Sequence, residues 1–525
     1  DCTLRDGGYY NNWDFSRNLV NDYLNAVSKV GINYVELGFR SLRSKNFKGS
    51  NWHTTDDYIN NLKIPKKINL VIMINASEII ASKTIYKTIK MMFKSKIRSK
   101  IKLVRIACHF EEIEKALIIC NLLKNLKFKV AINLMQISEQ TDEKIKYAAK
   151  KIQKVSPNIL YFADSLGCMD PIKIKHTIKT LKIHWKGPLG IHAHNNQGKA
   201  MINSLVAIES GITWLDSTIT GMGRGAGNVQ TEYLLAELNQ KYKIKLKILP
   251  ILKLIKKYFE PLKEKYKWGT NLYYYLASIY RIHPTYIQEM LSTHYSESEI
   301  LTAINQLKDS GGSKYKVDLV RSEFQKSIKL IKGNWIPSKE FKRKEVLLIA
   351  SGPKLNDYKN EIEDYIKTKK PYVIAVNTNV NLNKKLIDVY AACNPLNLIS
   401  DSDVYKKLSA PLVVPEALLD SNLQKKFKKL KIFNFGVGLK QNSYKFYKSA
   451  AIIPRLLTVA YALSIASSGE ASKILLAGFD GYSNLKRTKI IDNLFYLYSA
   501  SKKSIPLIAI TPTAYSVPST SIFVL

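Results

Sequence analysis

The sequence has few cysteines and no long apolar run. Its 525 residues include only five cysteines, which lack the close spacing of a zinc site or a disulfide framework. Scattered cysteines are typical of reduced thiols in a cytoplasm, and Cys2 is interpreted as strand packing rather than as a nucleophile. No segment approaches the roughly 20 apolar residues of a membrane-spanning helix. The sequence therefore predicts a cytoplasmic location and no transmembrane segment. The cysteines are Cys2, Cys108, Cys120, Cys168 and Cys393.

Acidic residues are scarce as well. The chain has 42 Asp and Glu against 81 Lys and Arg, a formal net charge of +39. Such an excess can indicate nucleic acid, an anionic membrane surface or anionic metabolites as partners. Here it is nearly all lysine, spread over every predicted helix, and no nucleic-acid motif accompanies it. We therefore interpret it as a compositional bias and expect no specific nucleic-acid partner.

The length predicts two or three domains in a globular chain, of which 46% is hydrophobic and 23% charged. The chain begins with Asp1 rather than Met, at what reads as the end of a strand. This indicates a fragment and leaves an N-terminal signal open.

Short apolar runs alternate with amphipathic, lysine-rich segments through the N-terminal part. The segments are long enough for a helix each, as in Asp142–Val155 and Pro171–Leu181. Strands that alternate with helices form a parallel sheet with right-handed crossovers. With one more strand ending at Asp1–Leu4, eight strands in residues 1–240 predict a TIM barrel. The other seven are Tyr34–Phe39, Asn69–Asn75, Lys102–Cys108, Lys129–Met135, Ile159–Ala163, Leu189–His194 and Trp214–Ile219.

Four side chains that can bind a metal fall at the ends of three strands that are neighbours in a closed barrel. Asp6 follows the first strand, and Asn228 follows the last. His192 and His194 are two residues apart, so both leave their strand on one face. Active sites of this fold lie at the carboxyl ends of the strands. A carboxylate, two imidazoles and an amide oxygen suit Mn²⁺, Mg²⁺ or Zn²⁺.

Each motif also has an ordinary interpretation. A His-x-His pair can be structural or lie on the surface, and Arg5-Asp6-Gly7 can be a common turn. The glycine-rich segment Gly221–Gly227 can be a flexible loop or a phosphate-binding nest. Their coincidence at the predicted strand ends favours the metal site.

These motifs carry a resemblance to a known family. They resemble those of the HMG-CoA lyase-like (DRE-TIM) metal-dependent aldolases, a group that includes 4-hydroxy-2-oxovalerate aldolase. The resemblance covers about residues 1–240 and implies a divalent-metal cofactor, with Mn²⁺ as the first choice and Mg²⁺ or Zn²⁺ as alternatives. The segments that carry it are Asp1–Gly7, Asp164–Gly167, His192–Asn195 and Gly223–Asn228.

The resemblance also implies roles for single residues. Asp6, His192 and His194 become metal ligands with Asn228 as the fourth, and Arg5 lies beside the enolate oxygen of the substrate. A divalent ion chelated by a 2-oxo acid acts as a Lewis acid on that oxygen, and a guanidinium adds a charge-assisted donor.

Glu36 ends the second predicted strand. It is a candidate ligand-orienting or proton-handling carboxylate, and the alternative is an ion pair with Arg40 or Arg43.

The region after Arg5-Asp6-Gly7 departs from the hydroxy-oxovalerate aldolases. They place a histidine there as the catalytic base, whereas this chain has Tyr9 and Tyr10. Either tyrosine is a candidate proton relay, although a tyrosine of ordinary pKa is a poor base near neutrality. The substrate and the direction of the reaction therefore stay open.

Residues 241–330 are predicted to form a helical extension of the barrel. The part around Tyr273–Tyr275 and Ile282–Pro284 resembles the extension of hydroxy-oxovalerate aldolases, in which a tyrosine helps catalysis. Tyr273, Tyr274 and Tyr275 are the candidates here, with core packing as the alternative. The predicted helices are Ile248–Tyr258, Asn271–Tyr280, Pro284–Leu291, Glu297–Leu307 and Lys316–Leu330.

A linker at residues 331–344 is predicted to lead into a Rossmann-like, doubly wound domain at residues 345–525. No Gly-x-Gly-x-x-Gly is present, so a dinucleotide is not indicated. The predicted strands are Val346–Ala350, Tyr372–Val376, Val389–Cys393, Leu412–Val414, Ile432–Phe435, Ile474–Ala477 and Leu507–Ile510.

The turn after the first of these strands resembles that of sialyltransferase-like, nucleotide-sugar-binding domains. Ser351, Gly352, Asn377 and Asp480 are therefore candidates for binding a nucleotide-sugar. A plain tight turn is the alternative. Because no histidine follows His294, a histidine-based glycosyl transfer is not expected.

Together these features favour a metal-dependent aldolase or lyase that makes or breaks a C–C bond next to the carbonyl of a 2-oxo acid, with an aldehyde as the second partner. Surface-polysaccharide or unusual-sugar biosynthesis is a plausible setting, and a homo-oligomer is expected. One alternative is a Claisen-type acyl-CoA transferase of the isopropylmalate synthase kind, which acyl-CoA dependence would reveal. Another is a non-catalytic barrel that serves as a scaffold for a glycosyltransferase-like domain.

Overall fold

The computed structural model describes most of the chain and divides it into two compact units. The first comprises Asp1–Gln288 with Gly311–Tyr315, and the second comprises Glu289–Ser310 with Lys316–Leu525. Among the described helices, none is both long enough and apolar enough to cross a membrane. The described residues are 1–42, 47–82, 84–93, 99–243, 247–292, 297–310, 312, 327–378, 380–394, 397–398, 401–419, 421–482 and 485–525.

A parallel sheet of seven strands, curled as in a TIM barrel, organises the described part of the first unit. The strands follow one another in chain order from β1 to β7. Each of the seven predicted strands is present, so the predicted barrel is confirmed. The strands are β1 (Tyr34–Phe39), β2 (Asn69–Asn75), β3 (Ile101–Cys108), β4 (Lys129–Leu134), β5 (Ile159–Asp164), β6 (Leu189–Ala193) and β7 (Trp214–Leu215).

The predicted strand at Asp1–Leu4 is only partly realised. The Glu36 amide donates to the Asp1 carbonyl and the Cys2 amide donates to the Ser217 carbonyl, both at 2.9 Å, so the first two residues bridge the two ends of the sheet. Thr3–Asp6 then forms a helical turn instead of a strand. The prediction was wrong there because the Asp6 amide donates back to the Cys2 carbonyl at 2.9 Å, which closes a turn.

Amphipathic helices cover the outside of the sheet. The helix Pro171–Lys182 is typical, because Asp170 caps its first turn, proline occupies its start, and Ile174 and Ile178 are buried four residues apart. The other helices of the barrel are Gly8–Asn11, Arg17–Lys29, Ser50–His53, Asp56–Asn60, Ala76–Ile80, Ile85–Met92, Ile113–Asn125, Asp142–Val155, Ala200–Glu209 and Thr231–Tyr242.

The inside of the barrel changes from apolar to charged along its axis. Positions two residues apart on a strand face the same side. Leu103 and Arg105 therefore both face the inside of the barrel, as do Trp214 and Asp216. The lower layer is one apolar cluster, and the layer above it carries the ionisable groups of the candidate site. The lower layer consists of Tyr34, Val71, Leu103, Ala131, Ile159, Tyr161 and Trp214.

A helical extension packs on the carboxyl end of the barrel. The Trp268 indole donates to the Thr220 carbonyl at 3.0 Å, and the Ser278 hydroxyl donates to the Gly167 carbonyl at 2.7 Å. The helices of the extension in the first unit are Leu249–Leu254, Glu260–Tyr266, Leu272–Ile279 and the start of Pro284–Ser292, whereas the helix predicted at Glu297–Leu307 spans Glu297–Ser310 and belongs to the second unit. Most of the predicted helix Lys316–Leu330 lies outside the described residues, and Ser327–Ile328 forms a short strand, β8, instead.

A second parallel sheet organises the second unit, in the order β13-β12-β11-β10-β9-β17-β18. Its first strand, β9, lies inside the sheet with later strands on both sides, which is the doubly wound pattern predicted. Its strands are β9 (Glu345–Ile349), β10 (Tyr372–Val376), β11 (Val389–Ala391), β12 (Leu412–Val414), β13 (Ile432–Asn434), β17 (Lys473–Ala477) and β18 (Leu507–Ala509).

A smaller four-stranded sheet in the second unit was not predicted. It contains β8, β14 (Gly436–Lys440), β15 (Lys445–Tyr447) and β16 (Ala450–Ile453) in the order β15-β16-β14-β8. Residues 331–344, predicted as a linker, include the buried side chains Trp335 and Phe341. The helices are Ser338–Phe341, Lys354–Asp357, Lys359–Lys369, Ser402–Tyr405, Ser421–Phe427, Thr458–Ser468 and Leu485–Ser499.

Candidate metal centre

Asp6, His192 and His194 meet at the carboxyl end of the barrel. One ligand atom from each lies within 4.8 Å of the others, and all three residues are buried. Nε2 of His192 is 3.9 Å from Oδ2 of Asp6, and the two imidazole rings are nearly perpendicular with centroids 4.9 Å apart. The structure therefore brings together the three predicted ligands, in a donor set that suits a divalent ion.

Asn228 completes this group from the glycine-rich loop. Its Nδ2 donates to Oδ2 of Asp6 at 2.6 Å, while its buried Oδ1 has no hydrogen-bond partner in the described part of the chain. A buried polar atom without a partner is costly unless a ligand satisfies it. Asn228 therefore orients Asp6 and offers an unused oxygen at the same place.

The glycine-rich loop is shaped to pack against Asp6. A Cβ atom on Gly223 would lie 2.5 Å from the Asp6 carboxylate and 2.6 Å from the Asn228 amide. The Arg224 amide donates to Asp6 at 3.3 Å. Close packing on the Asp6 carboxylate therefore accounts for Gly223, whereas Gly221, Gly225 and Gly227 have positive φ angles that favour glycine.

A second group of ligand types, Cys2, His192 and Asp216, lies close by. Oδ2 of Asp216 receives a hydrogen bond from Arg105 at 2.6 Å, and Nδ1 of His192 lies 2.9 Å from the same oxygen. Cys2 donates to the Ser217 carbonyl at 3.5 Å. Burial raises the pKa of the Cys2 thiol well above its usual value, so this thiol stays protonated and is a poor metal ligand. The group around Asp6 is therefore the better candidate metal site.

Asp216 orients His192. A carboxylate that accepts a hydrogen bond at Nδ1 fixes the tautomer and leaves Nε2 with a lone pair directed elsewhere, as in many metal sites with a histidine ligand. Nε2 of His192 is the nitrogen that faces Asp6. The described contacts therefore prepare this imidazole as a ligand.

Two buried arginines and Glu36 connect Asp6 and Asp216 into a closed ring of charged groups. Nε of Arg5 donates to Glu36 at 2.7 Å and its Nη1 donates to Asp6 at 2.5 Å. Nη1 of Arg105 lies 3.7 Å from Glu36 and 2.6 Å from Asp216. Since Asp216 contacts His192 and His192 faces Asp6, each anion in the ring lies between two cationic or imidazole groups.

Glu36 therefore pairs with Arg5 and Arg105, and the ion pair with Arg40 named as its alternative does not form. Arg40 instead lies 3.1 Å from Asp56. Arg43, the other partner considered, lies outside the described residues.

The ring determines the protonation states. Burial acts to raise the pKa of Asp6, but the charges of Arg5, His192, His194 and Arg224 together outweigh it and hold that pKa well below its usual range. Asp216 behaves in the same way, with Arg105 as the dominant cation. Burial and the neighbouring His192 lower the pKa of His194 well below its usual value. Ionised carboxylates and a neutral imidazole are the forms that bind metals.

Comparison with known proteins identifies the family of this unit. The profile of the HMGL-like family matches residues 1–255. A 4-hydroxy-2-oxovalerate aldolase of Pelotomaculum thermopropionicum is 30% identical over 243 residues, which are 46% of this chain and 69% of the relative. The chain belongs to the HMGL-like family.

Two further comparisons agree with this assignment. A 4-hydroxy-2-oxovalerate aldolase of Carboxydothermus hydrogenoformans is 29% identical over 244 residues, 45% of this chain and 69% of the relative. The crystal structure of the N-terminal domain of a proposed aldolase from Bacteroides vulgatus is 32% identical, with a TM-score of 0.52, and covers 58% of this chain and 98% of that one. The family match ends at residue 255, so the likeness of the C-terminal part to sialyltransferase-like domains is not shown.

Two tyrosines near the HMGL-like site make contacts that limit their chemistry. Tyr10 donates to the Gly225 carbonyl at 2.6 Å, and burial raises the pKa of Tyr10 to about 12 despite a hydrogen bond with Tyr274. Tyr274 is also buried, which raises its pKa well above the usual value. Of the three extension tyrosines, Tyr274 is thus the one that reaches the glycine-rich loop through Tyr10.

Tyr9 makes aromatic and cationic contacts instead. Its ring packs edge-on against Trp13, with centroids 4.8 Å apart, and the guanidinium carbon of Arg224 is 5.6 Å from its centroid.

The extension supplies groups that the sequence analysis did not single out. Burial, with the charges of Arg224 and His194 nearby, lowers the pKa of His283 well below its usual value. Gln288 accepts from the Gly225 amide at 3.0 Å and donates to the Tyr9 carbonyl at 3.2 Å. An imidazole directly before Pro284 carries no recognisable motif, so spacing alone could not find it.

Asp164, in one of the motifs that carry the family resemblance, organises its own loop. Its two carboxylate oxygens accept from the amides of Cys168 and Met169 at 3.1 and 3.0 Å. Burial raises the pKa of Asp164 to about 6, although these amides act in the opposite direction.

In the second unit, two of the candidate loops meet. Asp480, which follows β17, accepts from the Lys354 amide at 2.6 Å, and the Gly352 amide donates to the Gly478 carbonyl at 2.9 Å. Asn377 has a left-handed backbone and accepts from the Thr458 hydroxyl at 2.9 Å. Ser351, Gly352, Asn377 and Asp480 all follow strands on the carboxyl edge of the sheet, beside β9.

Proposed function

We propose that the barrel is a divalent-metal-dependent aldolase or lyase that makes or breaks the C–C bond next to the carbonyl of a 2-oxo acid. The observation that carries this is the buried group of Asp6, His192 and His194, whose ligand atoms lie within 4.8 Å of one another. The named activity of the 4-hydroxy-2-oxovalerate aldolases supports the reaction type. A scaffold without catalytic function would not require this charged ring inside a barrel.

Asp6, His192, His194 and the oxygen of Asn228 would hold the ion, with Mn²⁺ as the first choice and Mg²⁺ or Zn²⁺ as alternatives. When bound, such an ion supplies Lewis-acid stabilisation of an enolate oxygen. The unpartnered Oδ1 of Asn228 and Nδ1 of His194 fit a site that binds a ligand.

Arg5 provides the second source of stabilisation. Its Nε and Nη1 are fixed by Glu36 and Asp6, so Nη2 is the part of the fork left to donate to a substrate oxygen. A donor held in place before the reaction stabilises developing charge without reorganisation. Glu36 then acts as a positioning residue for Arg5 rather than as a proton carrier.

Proton handling falls to groups above this ring. Tyr10 is committed to the Gly225 carbonyl, so Tyr9 is the tyrosine proposed to relay a proton. His283 is the second candidate, because it is a buried imidazole whose pKa is influenced by His194 and Arg224.

The proposed activity is tested by incubating the full chain and Mn²⁺ with a panel of 4-hydroxy-2-oxo acids and measuring released pyruvate. Exchange of the pyruvate methyl protons with D₂O tests enolate formation without an aldehyde. Cleavage and exchange that both disappear in His192→Ala support the proposal. Wild-type protein that binds Mn²⁺ yet shows neither would contradict it.

For the second unit we propose a nucleotide-sugar ligand in the crevice beside β9, where Ser351, Gly352, Asn377 and Asp480 follow their strands. Ligands of doubly wound sheets bind where the strand order reverses. The amides of Gly352 and Lys354 already have acceptors, so they are not available to bind a diphosphate. The Asp480 carboxylate can instead accept hydrogen bonds from the hydroxyl groups of a ligand. Titration of the full chain with CMP-, UDP- and GDP-linked sugars by calorimetry tests this, and absence of binding at millimolar concentration would contradict it.

We also propose that the enzyme works in a cytoplasm as a homo-oligomer. All five cysteines are free thiols in the structure, as reducing compartments favour. Light scattering of the purified full chain tests the oligomer.

A further inference from the structure

The mouth of the barrel has two chemically different halves. The candidate metal ligands come from the N-terminal turn, β6 and the loop after β7. The ends of β1, β2 and β4 instead carry an apolar group, to which the segments after Asp6 and after β1 add aromatic rings. We call this group the aromatic wall. It consists of Tyr9, Trp13, Phe39, Trp52, Met73 and Met135, together with the small side chain of Ala107 from β3.

The aromatic wall borders the group proposed to contact the enolate. The guanidinium carbon of Arg5 lies 6.0 Å from the centroid of the Phe39 ring. The Trp13 indole donates to the Arg5 carbonyl at 2.7 Å. The charged ring and the wall are therefore parts of one continuous surface.

Local packing holds the wall in a fixed shape. The ring centroids of Trp13 and Trp52 are 4.4 Å apart, and those of Phe39 and Trp52 are 5.2 Å apart. A Cβ atom on Gly8 would lie 2.1 Å from the Trp13 ring, so glycine is needed for this indole to reach its place. The Thr54 hydroxyl donates to the Phe39 carbonyl at 2.5 Å and ties the turn that carries Trp52 to β1.

Trp52 combines an apolar face with an unused donor. Its Nε1 is buried and has no hydrogen-bond partner within the described ranges, although a buried indole N–H usually finds one. The residue as a whole is only half-buried, as are Tyr9 and Met135. Trp52 is therefore the member of the wall best placed to meet a molecule from outside.

We propose that the aromatic wall is the subsite for the aldehyde-derived end of the substrate, and that this end carries an apolar alkyl or aryl group larger than methyl. This inference rests on the proposed function. The carboxylate and keto groups of the substrate face Arg5 and the metal ligands, which directs the other end of the molecule toward Phe39 and Trp52. Trp52 Nε1 donates to an oxygen of that end.

The reaction defines which end this is. Cleavage of a 4-hydroxy-2-oxo acid breaks the bond between C3 and C4, and the electron pair remains on C3 as the enolate of the 2-oxo acid. The C4 hydroxyl loses its proton and becomes the aldehyde, and C3 gains a proton to give the free 2-oxo acid. The substituent on C4 is the part that the wall would select.

The test compares aldehydes as acceptors for pyruvate, with the full chain and Mn²⁺. We expect kcat/KM for pentanal to exceed those for acetaldehyde and glyceraldehyde at least about 10-fold, because each methylene in an apolar pocket contributes roughly 10-fold or more. Trp52→Ala should bring the pentanal to acetaldehyde ratio close to one. Trp52→Phe, which keeps an aromatic face and removes only the N–H, should retain most of that ratio.

Tyr86→Ala is the matched control, because Tyr86 is an aromatic residue that is 51% exposed on the outer helix Ile85–Met92. It should leave every ratio unchanged. A preference for glyceraldehyde, or an unchanged ratio in Trp52→Ala, would overturn the subsite.

Pyruvate methyl exchange separates this inference from the proposed function. The exchange needs no aldehyde, so wild type and Trp52→Ala should exchange at equal rates. Equal exchange with unchanged aldehyde ratios would remove the subsite and leave the aldolase intact. Wild-type protein that binds Mn²⁺ without any exchange would remove both.

Discussion

The carboxyl edges of the two sheets differ in how their polar groups are used. At the barrel, carboxylates, guanidinium groups and imidazoles form a closed ring, and Asn228 and His194 still have buried atoms without partners. At the second sheet, the amides of Gly352 and Lys354 already have acceptors within the unit. The first edge therefore leaves both an imidazole nitrogen and an amide oxygen for a ligand, whereas at the second edge Oδ1 of Asp480 is the candidate side-chain atom that is buried without a partner among the described residues. Both lie where a parallel sheet permits a site, but only the barrel edge specifies its ligand chemistry.

The largest expected effect is a loss of bound metal, which should occur at the barrel edge and not at the edge of the second sheet. His192→Ala should abolish stoichiometric Mn²⁺ after dialysis, because it removes the imidazole whose Nε2 faces Asp6. Metal analysis by mass spectrometry checks this. Asp480→Ala, which alters the other edge, should keep full metal content. Retention of Mn²⁺ in His192→Ala would mean that the ion, if bound, uses other residues.

Arg5→Lys should have the next largest effect, a fall in kcat of about 100-fold or more with unchanged metal content. Loss of one preorganised donor to an oxyanion typically has this size, and lysine cannot hold Glu36 and Asp6 while also reaching a substrate. Steady-state kinetics alongside metal analysis measures both quantities. An unchanged kcat would show that Arg5 serves only the ion-pair ring.

Arg105→Lys tests whether residues that orient the metal ligands affect metal binding. Arg105 donates to Asp216, which orients His192, so we expect metal affinity to fall about 10- to 100-fold. The matched control is Arg40→Lys, since Arg40 is also a buried arginine but pairs with Asp56 outside the ring. Competition titration with a metal chelator provides the affinities. Equal losses in the two variants would indicate general destabilisation instead of ligand positioning.

The strands and the direct ligands could be predicted because their signals are local. An apolar run such as Asn69–Asn75 declares itself within seven residues, and the two histidines leave one strand together. The ring was not predicted, because Glu36, Arg105 and Asp216 lie on β1, on β3 and after β7, and only barrel closure brings them together. Their inward positions can be derived from the alternation on each strand once the lower apolar layer is known.

Other features of the structure could not be predicted, because they depend on backbone geometry that residue patterns do not encode. Thr3–Asp6 forms a helical turn, although Asp1 and Cys2 directly before it hydrogen-bond to the two ends of the sheet. The sheet containing β14 and β16 consists of strands of at most five residues, too short for a clear periodic signal. His283 lies in the extension, close enough to Arg224 and His194 for their charges to act on its pKa, and its position depends on how the neighbouring Pro284 packs against Gly225.

The smallest expected effect concerns two carboxylates that accept backbone amides, Asp164 in the barrel and Asp480 in the second unit. Burial raises the pKa of Asp164 to about 6 and also raises the pKa of the more exposed Asp480. A carboxyl group whose pKa is higher in the folded than in the unfolded state favours folding while it is protonated. Its contribution to stability is therefore greatest below the unfolded pKa of about 3.9 and declines as pH rises to the folded value.

For Asp164 that decline falls between about pH 4 and pH 6 and amounts to at most about 3 kcal/mol, since one pKa unit corresponds to about 1.4 kcal/mol. Asp164→Asn cannot titrate, so the free energy of unfolding of wild type relative to this variant should fall across that interval and remain constant above it. Urea unfolding monitored by tryptophan fluorescence measures this mainly for the first unit, which contains five of the six tryptophans. Asp480→Asn should change the fluorescence-monitored transition little at any pH. A wild-type stability that rises relative to Asp164→Asn between pH 4 and 6 would mean that the amides of Cys168 and Met169 outweigh burial and lower the pKa of Asp164 instead.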